Sequence, residues 1–476
     1  MADDKALKDD SQVVAALGAA EKHHDGALGR LFDWLRIPSI STDPAYAESC
    51  REAGSWLVRE LEELGFEVSL RETPGHPVVL GHYRGEAGGE KRPHVMFYGH
   101  YDVQPVDPLE LWQEPPFEPR IATIPFDRKV IVARGAADDK GQVMTFIEAC
   151  RAWKAATGTL PVDVTVLVEG AEEDGSKHLP EFVEANRAEL AADLALVCDT
   201  TMWNSMTPAI TISLRGLVYC EVVVRAADRD LHSGMFGGAA RNPIHVLSRI
   251  IADLHDENGA VTLAGFYDGV AEPPADVRAQ WEKLGLTPKK YLGPIGLSEP
   301  AGERDRMLIE QIQSRPTCDA NGIIAGYTGE GTKTVIPSQA SCKVSFRLVG
   351  DQDPEAVAAA FRAHVEARIP ADCSVEIIEH KGSRAIALPY DMPALDAARE
   401  ALADEWGREP VVIGNGGSIP IVGDFKRTLG LDSLLIGFGL DDDRVHSPNE
   451  KYDLVSFYKG TCSWVRVLAA LAKRGV

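Results

Sequence analysis

The chain has 476 residues, 45% of them hydrophobic and 25% charged, the make-up of a soluble globular protein with more than one domain. Its 72 acidic against 49 basic side chains leave a formal net charge of −23, a field that repels phosphate backbones and anionic lipid surfaces and argues against nucleic-acid or membrane partners. No apolar run approaches the roughly 20 residues that cross a bilayer, and cysteines scattered at 50, 150, 198, 220, 318, 342, 373 and 462, without a C-x-x-C pair, read as reduced thiols of a cytoplasmic protein.

The opening MADDKALKDDSQVVAALGAAEKHHDGAL carries acidic residues where a signal peptide carries basic ones, and reads as a charged tail entering a helix. From about residue 20 to 210 short apolar runs alternate with helical patterns. GQVMTFIEACRAWKAATG sets Val143, Phe146, Ile147, Cys150 and Trp153 on one helical face, while DVTVLVEG and DLALVCDTT read as buried strands around the helical LPEFVEANRAEL. Such alternation predicts an α/β domain with a mainly parallel sheet and helices on both faces.

From about residue 213 the texture changes. LVYCEVVVRAA is a strand, and NPIHVLSRIIADL a helix with Asn242 as its cap and Pro243 as its first residue. SCKVSFRLVG, DPEAVAAAFRAHVEARI and CSVEIIEH follow as strand, helix and strand, so two helices and about four strands make a small ferredoxin-like α+β domain. A Gly/Pro-rich excursion over roughly 262–320 lies within it. After about 390 the first texture returns, with helix PALDAAREALADEWG, strands EPVVIG and DSLLIGFG, and a last helix from Val455. The expected organisation is a large α/β domain built from 1–212 and 386–476, interrupted by the smaller domain at 213–385.

Ligands of open α/β sheets bind beyond the carboxyl ends of the strands, and those ends are acidic here. HVMFYG runs into His100 and Asp102, VIVARGAADDKG into Asp138 and Asp139, VTVLVEGAEEDGS into Glu172, Glu173 and Asp174, LALVCD into Asp199, and LLIGFGLDDDRVHSPNE into His446. Carboxylates gathered in one crevice cannot all stay ionised without compensation, and a pair of divalent cations supplies it. Carboxylates with histidines and no cysteine suit zinc, with manganese as the alternative, whereas magnesium and calcium prefer oxygen alone. His100 would ligate directly, and Asp102, two residues on and facing the same way, would orient its imidazole. Neighbouring glutamates project differently, so one of the AEED pair can be a ligand while the other stands free as general base.

GHYDVQP, RGAADDKG, EGAEEDGS, RDLHSGMFGG, KTVIPSQ, GGSIP and HSPNEKYD, in this order from about residue 30 to the end, resemble the carnosinase-like, cytosolic non-specific dipeptidases. These belong to the two-zinc peptidase family that also holds aminoacylases and acetylornithine deacetylases. The resemblance implies that His100 and Asp199 bind one metal ion, that Glu173 and His446 bind the other, that Asp138 bridges them, and that the peptide after Asp138 is cis. It implies Glu172 as general base, Asp102 as the partner of His100, and His232 as a group reaching the other subunit's active site to stabilise the oxyanion. Arg347 matches the arginine that pairs with the substrate carboxylate, and Thr334 and Ser418 match polar groups near the substrate. The inserted domain is then a lid and dimerisation domain, and the protein a homodimer.

The function so implied is hydrolysis of the amide bond of dipeptides or similar small peptides by a metal-bridging water, with a glutamate as general base. The alternative is an N-acyl-amino-acid deacylase or carbamoylase using the same site. In this family an aspartate at the position of Asp199 accompanies free-amine dipeptides and a glutamate accompanies deacylases, which favours the dipeptidase. Asn415, where some relatives carry a charged residue, bears on fine substrate preference, and His23, His24, His82 and His94 read as surface histidines.

Overall fold

A computed structural model describes residues 2–85, 92–415 and 419–476. The chain divides into two compact units, one formed by residues up to Thr211 with Leu388–Val412 and Asp424–Val476, the other by Ile212–Ala387 with Ile413–Gly423.

The first unit is organised by a sheet in the strand order Glu67–Arg71, Val78–Tyr83, Asp163–Glu169, His94–His100, Leu194–Val197, Ser433–Leu435, Ala209–Leu214. Its middle is parallel: His94–His100 runs alongside both Asp163–Glu169 and Leu194–Val197, and Ser433–Leu435 continues that direction. Both edges turn antiparallel. Successive side chains on a strand face opposite sides, and the central strand uses both. Phe97 stacks on Phe146 with ring centres 3.8 Å apart and meets Trp464 edge-on, while its neighbour Tyr98 meets Phe425. Helices therefore cover both faces, and the parallel strands deliver their carboxyl ends to one common edge.

The helix Lys140–Thr157 departs from the single apolar face read in the sequence. Every residue from Lys140 to Cys150 is buried, because the helices Ala2–Lys22, His24–Leu35 and Leu454–Arg474 pack around it. Its polar groups are answered one by one. Glu148 accepts two bonds from Arg30 at 2.7 and 2.6 Å, and Lys140 Nζ donates to the carbonyls of Trp34 and Ile37 at 3.1 and 2.8 Å. Gly158, at φ 78°, ends the helix in the left-handed region that glycine tolerates.

The second unit contains an antiparallel sheet in the order Thr317–Ala325, Gln339–Leu348, Gly216–Arg225, Ser374–Glu379. Alternate residues of Gly216–Arg225 are buried, and Val218, Cys220 and Val222 pack with Phe346 and Phe361 in one core. The helices Pro243–Ala252 and Pro354–Glu366 join that core, capped by Asn242 and Asp353, whose side chains accept from Ile244 N and Glu355 N. One segment corrects the sequence reading of 386–476 as a single stretch of the large domain. Ile413–Gly423 belongs with the second unit, since Asn415 O accepts from Arg215 N at 3.3 Å and Gly414 lies so close to Gln313 O that an added Cβ would sit 2.5 Å from it.

All eight cysteines are free, six of them buried. Among the described residues no helix is long and apolar enough to cross a membrane.

Candidate active site

Seven of the singled-out side chains lie in the first unit, and six of them stand at or after strands of the parallel core. Asp138 instead follows Arg128–Val132, which pairs antiparallel with Arg120–Ile124 and Lys451–Asp453 in a separate sheet, a correction to the reading that every acidic strand end lies on the one parallel sheet. His94–His100 pairs residue by residue with Asp163–Glu169, so His100 stands opposite Glu169 at the sheet edge. The imidazole of His100 is fully buried, with Nε2 3.0 Å from Asp138 Oδ1 and 3.9 Å from Asp199 Oδ2. His446 Nε2 lies 2.9 Å from the other oxygen of Asp138 and 3.3 Å from Glu173 Oε2. Two donor groups result, His100–Asp138–Asp199 and Asp138–Glu173–His446, each with its ligand atoms within 4.8 Å of one another and with Asp138 common to both. The Asp138–Asp139 peptide is cis.

Asp102 does two jobs. Its carboxylate lies 3.4 Å from His100 Nδ1, and its two oxygens accept the backbone N–H groups of Glu172 and Glu173 at 3.2 and 3.0 Å. His100 Nδ1 also lies 3.1 Å from the carbonyl oxygen of Asp102, so this one residue orients the imidazole through its backbone and its nearby carboxylate, while the carboxylate pins the loop that carries both glutamates. Beneath that loop Glu169 accepts from Tyr98 Oη at 2.6 Å and Ser176 Oγ at 2.8 Å. The neighbours in the Asp-Asp pair divide. Asp138 faces the donor groups, whereas Asp139 turns under the strand end, 3.3 Å from His100 N and from Cys198 Sγ. Asp174 stays outside as well, exposed and paired with Lys177 at 2.9 Å.

The electrostatics favour cations. Burial, reinforced by neighbouring carboxylates, pushes Glu173 and Asp199 up to about 7. Glu172 also rises to about 7, through burial above all, with His100 opposing. Bonds to Asp138 and Glu173 raise His446 to about 10. Burial resists charge on His100, yet its bonds to Asp102 and Asp138 prevail and raise it well above its ordinary value. Among the described residues Glu173 Oε1 is buried without a hydrogen-bond partner, while Oε2 accepts from Gln104 at 2.6 Å. An orphaned carboxylate oxygen among buried acids and imidazoles is the donor chemistry that a pair of divalent cations satisfies.

Helix packing also constrains the Asp138 loop. A Cβ on Gly141 would lie 1.9 Å from Ala136 O, a backbone atom that cannot give way cheaply. Gly141→Ala is expected to destabilise the protein by about 1–3 kcal/mol, read as a lower melting midpoint.

The remaining singled-out residues lie elsewhere. His232, Thr334 and Arg347 are in the second unit. His232 and Thr334 are exposed neighbours: His232 pairs with Val335, and Ser233 N donates to Thr334 O at 3.1 Å. His232 Nδ1 accepts from Gly234 N at 3.0 Å, so the neutral ring carries its proton on Nε2. Arg347, opposite Leu217 and Thr317, is half-buried and has no carboxylate partner among the described residues. Ser418 falls outside the described residues.

Some expectations change. His82 and His94 are partly buried and both bond Thr165 Oγ1, at 3.0 and 2.8 Å, with burial holding His94 down to about 4. His24 stacks on Tyr458 at 4.0 Å. Glu450 went unremarked in the sequence, although it follows His446 by four positions inside HSPNE. It is fully buried and accepts backbone N–H groups from the Asp138 loop.

With this geometry in view, known proteins can be set beside the chain. The Cys-Gly metallodipeptidase dug1 of Schizosaccharomyces pombe is 30% identical over 472 residues, 95% of this chain and 97% of that protein. The structure of human carnosine dipeptidase 1 superposes with a TM-score of 0.75 at 27% identity, over 97% of this chain and 99% of that one. The metallo-carboxypeptidase Sso-CP2 of Sulfolobus solfataricus does so with a TM-score of 0.77 at 33% identity, over 94% and 99%. Residues 96–470 match the family model directly, and the chain belongs to peptidase family M20/M25/M40.

Proposed function

We propose that the chain is a metal-dependent dipeptidase, hydrolysing the amide bond of dipeptides that carry a free carboxylate. The observation that carries this reading is the pair of donor groups sharing Asp138, with Glu172 in their field yet belonging to neither. The dipeptidases named above align over nearly the whole chain, which supports peptide hydrolysis over deacylation or carbamoyl hydrolysis.

His100 and Asp199 would hold one divalent cation, Glu173 and His446 the other, with Asp138 between them. Zinc is the metal proposed, with manganese second, because imidazole and carboxylate donors suit both. Bound there, the cations supply a Lewis acid for the scissile carbonyl and acidify water to the point of attack at neutral pH. Glu172 takes the proton from the attacking water and passes it to the departing amine, a task suited to a carboxyl that burial has raised toward neutrality. Asp102 keeps Glu172 in place through its backbone and keeps His100 aimed through Nδ1.

His232, with Nε2–H exposed, is proposed to donate to the developing oxyanion in the other subunit of a homodimer built through the second unit. Arg347 would pair with the substrate carboxylate, and Thr334 and Ser418 would line the substrate. Eight free cysteines fit a cytosolic location.

The test is a substrate series in zinc or manganese: a dipeptide, its N-acetyl form, its C-terminal amide and a tetrapeptide. The dipeptide is expected to be cleaved fastest, and the amide to lose most through KM because Arg347 has nothing to pair with. Hydrolysis of the acetylated compound alone would overturn the reading. The 33% identical carboxypeptidase supports a second reading, release of a C-terminal residue from longer peptides, which equal turnover of the tetrapeptide would favour. Mixing inactive His232→Ala and Glu172→Gln chains should restore part of the activity if His232 acts across a dimer.

A further inference from the structure

One side chain ties together two of the loops that supply the donor groups, and it is neither a ligand nor a base. Glu450 is 0% exposed and spends both carboxylate oxygens on the segment just before the Asp138–Asp139 peptide. Oε1 accepts the N–H of Ala137 at 2.9 Å and of Asp138 at 3.1 Å. Oε2 accepts the N–H of Gly135 at 2.9 Å and Nη1 of Arg134 at 2.7 Å. Arg134, 1% exposed, gives its other terminal nitrogen to Pro105 O at 2.9 Å.

A plain structural role does not account for this. A buried ion pair costs so much desolvation that apolar side chains of similar size often replace it without loss. An apolar pair could not, however, accept three N–H groups from a four-residue loop, and those bonds fix the plane of the peptide that leads into Asp138. That matters because Asp138 alone sits in both donor groups, with Oδ1 3.0 Å from His100 Nε2 and Oδ2 2.9 Å from His446 Nε2. A small rotation of the loop would misaim both oxygens together. Glu450 also follows His446 in the same loop, so the segment that presents the last imidazole carries the clamp for the shared carboxylate.

We propose that Glu450 is a positioning residue for the paired cation site, holding the 135–138 loop so that Asp138 serves both halves and thereby setting the affinity of both at once. The proposal rests on the reading of the donor groups as a two-cation site.

It is tested by titrating zinc, or manganese, into the metal-stripped protein by calorimetry, beside a melting curve. Glu450→Gln keeps the volume but turns an N–H₂ group toward N–H donors, and is expected to weaken both binding events together, by about 10- to 100-fold. Asp199→Asn should weaken chiefly the event of its own group. Because Glu450→Gln strands the charge of Arg134, the double variant Arg134→Met with Glu450→Gln supplies a second reading, expected to melt near the wild type and still bind both cations weakly. Arg134→Met alone keeps all three backbone bonds to Glu450 and should bind close to wild type. Wild-type affinity in either Glu450 variant, or weakening of one event only, overturns the proposal, as does equal weakening in Arg134→Met. A wild-type protein that takes up no cation would instead sink the functional reading beneath it.

Discussion

Glu172→Gln is expected to lower kcat by about 10²- to 10⁴-fold, the range general-base catalysis supplies, with both cations still bound. Glutamine keeps the shape and the backbone bond to Asp102 but cannot take a proton. Glu172 lies in neither donor group, so its loss leaves the ligand count untouched. The adjacent Glu173→Gln should fail differently, losing cation affinity first, because Oε2 lies 3.3 Å from His446 and Oε1 has no partner among the described residues. Turnover kinetics and metal analysis on the two variants separate the roles. Turnover within a few-fold of wild type in Glu172→Gln would remove the proposed base.

Stripping the cations is expected to reverse the pH dependence of stability. Glu172, Glu173 and Asp199 rise to about 7 in the fold, mainly through burial, from the ordinary carboxyl range near about 4. Between those values the folded chain holds protons that the unfolded chain has released, so stability falls as pH rises through the window. The raised histidines act in the same direction at higher pH. Their contribution is full below about 6.5 and fades as pH climbs toward the value of about 10 set for His446 by Asp138 and Glu173. Among the donor residues Asp138 opposes, and away from them so do His94, held down to about 4, and Lys140, lowered to about 7, both by burial. Burial works against the charge of Asp138, but His100 and His446 hold it below the usual range, and that contribution is lost only on acidification. The chelator-treated protein should therefore melt several degrees lower at about pH 9 than at about pH 5. Cations require the carboxylates ionised and the imidazoles neutral, so binding releases protons and tightens with pH. The reloaded protein should lose the decline, and melting curves at three pH values decide the matter. A stripped protein that grew more stable across that span would contradict the buried-carboxylate account.

The donor residues were legible because their signal is local. A Val- and Leu-rich run that ends in an acid or imidazole announces a strand and its loop, and five such endings occur between His100 and His446, four after strands of the parallel core and one, at Asp138, after the antiparallel Arg128–Val132. The spacing of His100 and Asp102 was equally readable, since a strand places alternate residues on one side. The two textures of the chain also separated the parallel sheet from the antiparallel one, because a strand buried on both faces reads as a continuous apolar run and a half-buried strand alternates.

Other features depend on segments far apart in the chain meeting. Periodicity in Lys140–Thr157 reports one apolar face, yet helices from both termini close over the rest and bury Lys140 among carbonyls. Asp138 and Asp139 look alike on paper, and the turn into that helix sends one toward two imidazoles and the other beneath the strand. Glu450 reads as one more acid in an acidic loop until the fold brings it to backbone N–H groups more than 300 positions earlier. Residue types and spacing established which side chains could bind cations, because donor chemistry and strand geometry are properties of a short segment. Which acids gathered into the two donor groups, which bond the backbone around them and which stayed outside followed from packing alone, since that is set by the desolvation and hydrogen bonds that remote segments impose on one another.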